Sequence, residues 1–471
     1  MNMYRWISVA FLLVVVFAFS GAAVSGADAP IGARWSEGTL LIAWGTAQPN
    51  ETAFTAVAAG LRHDDGSATN LDLSPEQMTE LGGPMVASGA RVRALLVDGE
   101  DVDGQPVRPL EIQLVGRKTD GMDASGSYPY VSLMCAFSDI ALPPEGLPYF
   151  QNMYANSWPG LDHYWRRQSY GMVDVIGSAA AGWFTLPHTR SHYTDMISGS
   201  NYSTMLNALY NDCTAVASSS VNLSDYVGTN LMFNETFGPY AWGGWGGVTW
   251  EPPWGWHNIA VIGHEMGHAF GLPHSNNADG DGSPYDNPWD VMSNSWGSAL
   301  SDPTYGTVGK HTITYHKNIL GWIPAARRAE VSTGGFYTFD IDHLTYAGTG
   351  NLHMVQVQIP GSSRFYTIEV RDRVGYDGNL QGFAVILHEV DQGRQEPAWL
   401  VDPDFTDNGS GPAVMWLPGE CFDDEGHEIL ICVDSVTTEG YRVEVAYGSG
   451  YSVFKDDFES GGTGSWTLVV Q

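Results

Sequence analysis

Basic residues are scarce in this chain. Its 471 residues hold 21 Lys plus Arg against 53 Asp plus Glu, a formal net charge of -32. A surface of that sign repels a phosphate backbone, so no nucleic-acid partner is expected. Cysteine is rarer still, with Cys135, Cys213, Cys421 and Cys432 the four present. No two of them are spaced C-x-x-C, which argues against a cysteine-built zinc site. Past the N-terminus no stretch is apolar enough to span a bilayer. No repeat of about 20 to 50 residues is visible, so nothing points to a solenoid or propeller. The acidity reads first as solubility. Calcium (Ca2+) sites built from the excess carboxylates are the sharper alternative.

The N-terminus runs MNMYRWISVAFLLVVVFAFSGAAVSGADAP. A basic start at Arg5, an apolar run over 7 to 19 and a small-residue segment read as a signal peptide over 1–26. The expectation is a secreted, extracellular protein with no transmembrane segment once the signal is removed. An even number of cysteines in an exported chain implies two disulfides, with three pairings open. Proximity favours Cys421 with Cys432, across the hairpin-like GECFDDEGHEILICV, leaving Cys135 with Cys213. Sequons at Asn50, Asn201, Asn222, Asn234 and Asn408 matter only in a eukaryotic host.

What is abundant is glycine, at 56, with 17 Trp and 22 Tyr, a mix that suits β-rich domains with many turns. Residues 27–118 alternate short apolar runs (TLLIAWG, VRALLVDG, LEIQLVG) with turn formers and read as an N-terminal β-domain, a candidate propeptide. GRKTDGMDASGSYP reads as a linker. Residues 119–328 open on a buried strand, YVSLMCAFSD. Helical patterns follow in YFQNMYANSWPGLDHYWRRQSYG and NYSTMLNALYNDCTAVASS, and the segment closes near KNILGWIPAARR. Residues 329–450 return to strands (FYTFDI, HMVQVQI, FYTIEV, AVILHEV) and suggest a C-terminal β-sandwich-like domain. Residues 451–471 form a Gly-rich tail. The expected class is α+β.

One stretch carries chemistry: HEMGHAFGLPHS, residues 264 to 275. On a helix over 258–270, His264 and His268 stand one turn apart on one face, so both imidazoles can reach one metal. Glu265, beside the first, can face a water on that metal. Gly271 can end the helix in the left-handed conformation. Pro273 stiffens the exit, and His274 can turn back as the third ligand. Three nitrogen ligands leave a fourth position open, which marks a catalytic zinc (Zn2+) site rather than a structural one. The full H-E-x-x-H-x-x-G-x-x-H pattern fixes five positions, each for its own physical reason.

Here the chain resembles the metzincin metallopeptidases, whose signature is this motif followed by a methionine turn. NPWDVMSNSWG supplies that turn, with Met292 as the methionine beneath the ligands. The flanks LDHYWRRQSYGMVDVIG, GWFTLPHTRSHY, PWDVMS and YHKNILGWIP are similar to immune inhibitor A-like and gametolysin-like secreted peptidases, over about residues 130 to 325. Immune inhibitor A-like enzymes usually carry Asp where this chain has His274. Asn294 stands where some metzincins place a tyrosine near the metal. The resemblance implies a metzincin-like catalytic domain flanked by β-rich domains. It implies zinc on His264, His268 and His274, Glu265 as general base, and protein or peptide substrates, extracellular-matrix or cell-surface proteins among them. The rival class is a secreted adhesin with a vestigial protease domain.

Other residues are weaker candidates. Asp279, Asp281, Asp286 and Asp290 in NNADGDGSPYDNPWD read as a solvated acidic loop, with calcium as the alternative. His257 reads as a packed or surface histidine. Tyr315 and His316 read as packing residues, with donation to a transition-state oxyanion as the alternative.

Overall fold

The computed structural model describes residues 32–48, 56–83, 87–98, 106–116, 124–244, 246–278, 285–345, 348–403 and 411–448. The signal segment, half of the linker (117–123), Asp279, Asp281, Asn50, Asn408 and the Gly-rich tail lie outside them. The described residues are mixed α+β with several sheets, as expected.

The first strands are β1 (Ala33–Ala47), β2 (Ala56–Arg62), β3 (Ala68–Leu71), β4 (Arg91–Val97) and β5 (Glu111–Gly116), with helix α1 (Pro75–Glu80) between β3 and β4. A two-residue period builds their core. Leu40, Ile42 and Trp44 on β1 meet Leu61, Met78, Val92, Leu96 and Ile112, so this cluster is made from residues 40 to 112 alone. Ser74 caps α1 by accepting from the Gln77 amide, and the Gln77 side chain returns to the Ser74 amide.

The next stretch holds β6 (Gly126–Ser127), β7 (Tyr130–Ala136), α2 (Leu147–Asn152), α3 (Leu161–Gln168), β8 (Val173–Asp174), β9 (Ala179–Thr185), α4 (Arg190–Thr194), α5 (Ser203–Ala217), β10 (Gly228–Phe233), β11 (Tyr240–Gly244), β12 (Val248–Glu251), α6 (Pro253–Trp256) and α7 (Ile259–Ala269). The apolar run of β7 is buried along its whole length, because parallel strands flank it and helices cover the sheet. β9, β7, β10 and β12 are parallel, and β11 is antiparallel to β12. β1 then pairs antiparallel with β11, giving the order β3-β2-β1-β11-β12-β10-β7-β9. A boundary at residue 118 therefore divides the chain but not the sheet.

The remainder holds β13 (Ser275–Asn277), β14 (Leu300–Asp302), β15 (Gly306–Val308), α8 (Thr314–Ile319), β16 (Arg328–Val331), β17 (Gly335–Asp342), β18 (Met354–Gln358), β19 (Phe365–Arg371), β20 (Ala384–Val390), β21 (Ala398–Leu400), β22 (Cys421–Asp424), β23 (Ile429–Val436) and β24 (Gly440–Tyr447). One sheet runs β13-β21-β20-β19-β18-β16 and another β17-β24-β23-β22. They share a core in which Val357, Ile368 and Val385 of the first meet Ile431, Val443 and Val445 of the second. β13, which follows His274 directly, is an edge of the six-stranded sheet.

Cys135 is bonded to Cys213, tying β7 to α5, and Cys421 to Cys432, directly opposite each other in the β22–β23 hairpin. Among the described residues no helix is long and apolar enough to cross a membrane.

Candidate metal centre

Helix α7 carries the first two histidines. It ends where glycine permits: Gly271 has φ +94°, its amide donates to the His268 carbonyl, and the Leu272 amide reaches back to the Gly267 carbonyl. This is the Schellman arrangement, and it turns the chain so that His274 comes back toward the helix. The three Nε2 atoms then lie 3.0 Å (His268–His264), 3.1 Å (His264–His274) and 2.9 Å (His268–His274) apart. All three side chains are at most 1% exposed.

The far nitrogens set the tautomers. His264 Nδ1 sits 2.6 Å from the Val291 carbonyl, and His268 Nδ1 sits 2.7 Å from the Leu272 carbonyl. Carbonyls only accept, so both rings carry their proton on Nδ1 and turn Nε2 lone pairs inward. Burial drives His264 down to about 4 and the other two well below the ordinary histidine range, so all three are neutral. Inward lone pairs about 3 Å apart repel one another unless a cation lies between them. The triangle is small enough for one ion to reach every nitrogen at imidazole–zinc bond lengths of about 2.0–2.1 Å. Among the described residues these three form the one His, Cys, Asp or Glu group compact enough for a metal. The residues fit zinc.

Glu265 is fully buried beside the triad, and neither carboxylate oxygen completes a hydrogen bond of normal geometry. Burial, reinforced by the nearby Glu251 carboxyl, pushes its pKa well above the usual carboxylate range, and burial pushes Glu251 up to about 8. A divalent cation among the neighbouring imidazoles acts in the opposite sense and favours the ionised form of Glu265. Gly243 on β11 lies against this turn of α7: a Cβ there would stand 2.2 Å from the Glu265 carbonyl oxygen. Glycine at 243 is what lets the strand approach the helix.

Met292 lies beneath the ligand helix. It is fully buried, with Sδ 2.3 Å from where a Cβ on Gly267 would be, between the two helical histidines. Met292 makes no contact in the nitrogen triangle; its place is the floor under it.

The other candidates lie elsewhere. Asp290 and Asp286 are buried, not solvated. Asp290 accepts from Ser275 Oγ at 2.7 Å, Thr312 Oγ1 at 2.8 Å and the Met292 amide at 3.0 Å, and pairs with His316 Nδ1 at 3.0 Å. Asp286 accepts from the Asn277 amide at 2.7 Å. The acidic loop thus turns two of its carboxylates inward, because the Ser275 hydroxyl and the Asn277 and Met292 amides beside His274 and the histidine helix need acceptors. Neither joins a cation cluster among the described residues. His257 lies 2.9 Å from the Pro253 carbonyl and 3.1 Å from Glu145, apart from the triad. Tyr315 packs with Ile313 and Phe365.

Three residues at the site carry no signal in the motif. Trp44 stacks on His268 with ring centroids 5.0 Å apart and planes at 14°. Thr46 lies close enough to Glu265 to favour its ionised form. Tyr285, at φ +65°, sets its ring edge-on to His274 at 4.9 Å and donates from its hydroxyl to the Gly45 carbonyl at 2.5 Å. A positive φ at a bulky non-glycine residue is costly and clusters at functional sites.

Compared with known proteins, the chain matches no family model, no curated protein and no solved structure.

Proposed function

We propose that the chain is a secreted zinc-dependent endopeptidase. The observation that supports this best is the triangle of three neutral, buried imidazole nitrogens with Glu265 on the same helix turn. The likeness of its motif to the metzincins points the same way. His264, His268 and His274 would hold the ion. Zinc bound there supplies a Lewis acid for water and for a peptide carbonyl. Glu265 takes the proton from the attacking water and delivers it to the leaving amide nitrogen. The Val291 and Leu272 carbonyls keep two of the imidazoles in the ligating tautomer. Substrates are proteins or peptides, with extracellular-matrix and cell-surface proteins as the class an exported enzyme meets.

Elemental analysis should find about one zinc per chain. Casein hydrolysis should stop with phenanthroline and return with added zinc. A chain free of zinc, hydrolysing casein regardless of chelator, rules the reading out. Zinc bound without hydrolysis in any state of the chain would move the assignment to a secreted binding protein with a vestigial site.

A further inference from the structure

We infer that Asp290 is a positioning residue for the metal centre, acting on His264 through a single peptide unit and on the backbone after His274 through the Ser275 hydroxyl. The inference rests on the zinc reading above.

His264 donates from Nδ1 to the Val291 carbonyl at 2.6 Å. The nitrogen of that same peptide belongs to Met292, and its N–H donates to Asp290 Oδ1 at 3.0 Å. The bond is trans, so its carbonyl and its N–H point in opposite directions. Carboxylate, peptide and imidazole therefore follow one another, with His264 Nε2 at the far end facing the other two histidines. Hydrogen bonds in such a chain polarise one another. Negative charge at Asp290 draws on the Met292 proton and leaves the Val291 oxygen a stronger acceptor. His264 Nδ1–H is pulled harder in turn, and Nε2 becomes the better metal ligand. A carboxylate behind a ligating imidazole often does this by direct contact. Here one peptide unit stands between them.

The other carboxylate oxygen serves the third histidine. Asp290 Oδ2 accepts from Ser275 Oγ at 2.7 Å, and Ser275 follows His274 directly. One buried side chain thus joins the backbone that orients the first histidine to the backbone that carries the third. Three neutral imidazoles leave the charge of a divalent ion uncompensated. Asp290 sets a negative charge behind two of them without joining the nitrogen triangle.

Asp290 is itself fixed from outside the motif. Thr312 Oγ1 donates to Oδ1 at 2.8 Å, and His316 Nδ1 lies 3.0 Å from Oδ2. Arg371, reaching across from β19 of the six-stranded sheet, donates to the Trp289 carbonyl, in the peptide just before Asp290. Asp290, His316 and Arg371 are all fully buried. The C-terminal strands thus brace the segment that sets His264.

The test uses the full chain and three variants, Asp290→Asn, Ser275→Ala and Val357→Ala. Asparagine keeps the size and one acceptor oxygen but not the charge. Ser275→Ala cuts only the tie toward His274 and is the milder change, in case Asp290→Asn does not fold. Val357→Ala removes packing from the core between the two C-terminal sheets, a cluster without any residue of α7, and controls for lost stability alone. Each protein is melted without metal to establish its fold and titrated with zinc against a fluorescent indicator. Each is also loaded with cobalt, whose visible absorption reports the ligand geometry. Asp290→Asn should bind zinc about 10–100-fold more weakly, the usual worth of a residue behind a metal ligand, with its cobalt bands shifted. Ser275→Ala should weaken zinc by a smaller factor, and Val357→Ala should match wild type. Wild-type zinc affinity in folded Asp290→Asn, or in Ser275→Ala where that alone folds, overturns the inference and leaves the zinc reading standing. An equal loss in Val357→Ala overturns it too. A wild-type chain that takes up no zinc overturns the zinc reading, and this inference with it.

Discussion

Trp44 lies flat on His268, 5.0 Å from centroid to centroid, although one belongs to the first strand and the other to the ligand helix. A small chelator must therefore wait for that indole to move. Zinc loss from the full chain to excess phenanthroline should be slow, and its rate should stop rising with chelator concentration once opening limits it. Trp44→Ala should release zinc faster. A rate that climbs in proportion to chelator at every concentration shows that the indole gates nothing.

Glu265→Gln keeps the shape of the side chain and removes the base. Hydrolysis should fall by about 10²–10⁴-fold, the usual worth of a positioned proton acceptor. Zinc content should stay unchanged, because Glu265 lies outside the nitrogen triangle. Both quantities are read on the same preparation, and near-normal turnover would assign the proton transfer elsewhere.

His274→Ala and Met292→Leu separate ligand from floor. The first removes one corner of the triangle and should weaken zinc sharply. The second roughly conserves volume and should cost less than about 1.5 kcal/mol of stability, with zinc retained. Competition against a zinc indicator measures both, and a reversed pattern denies His274 its role.

Tyr285→Phe deletes the hydroxyl that holds the Gly45 carbonyl while keeping the ring on His274. If a substrate carbonyl takes that place, kcat should drop by about 10²-fold or more, the scale of one lost oxyanion donor. KM should move far less. An unchanged kcat in steady-state assays removes Tyr285 from the chemistry.

Asp290 supplies a pH signature. Burial alone would raise its pKa, but His316, Ser275 and the Met292 amide outweigh burial and hold it well below the usual carboxylate range. A depressed carboxylate stabilises the fold above its unfolded value of about 3.9 and loses that contribution as pH falls through the folded value. Wild type should exceed Asp290→Asn in Tm near pH 6, and the gap should close as pH falls below about 4. A gap constant from pH 6 to 2 in thermal melts contradicts the assignment.

The clustering of the three histidines was legible because its geometry is local. His264, Glu265 and His268 share one helix, and Gly271 turns the chain within three residues of His274. The strands of the C-terminal region were legible from their short runs of β-branched and aromatic residues, and the Cys421–Cys432 pair from its hairpin spacing. The pairing of β1 with β11 was not. Nothing local in TLLIAWGTA says that its second half pairs with AWGG some two hundred residues away, because pairing across a sheet leaves no spacing to read. The same applies to Asp290. An acidic loop looks solvated until its acceptors are found facing the Ser275 hydroxyl and the Met292 amide. The helical pattern in YFQNMYANSWPGLDHYWRRQSYG is carried by two helices, α2 and α3, with Pro159 and Gly160 just before the second. At Gly160 a side chain would strike the Ala155 carbonyl at 2.1 Å.

β13 gives the edge beside the third histidine a timetable. Ser275, immediately after His274, pairs in parallel with Ala398, and Asn277 with Leu400. A ribosome that has made residues up to 328 has produced all three histidines, yet the partner strand of β13 does not exist. Two histidines are set by α7 and the third by the turn at Gly271, whereas β13, which follows it, gains its partner only once β21 has been made. The sheet edge beside the histidines is thus completed late in the life of the nascent chain, long after β1, whose Trp44 stacks on His268, has emerged.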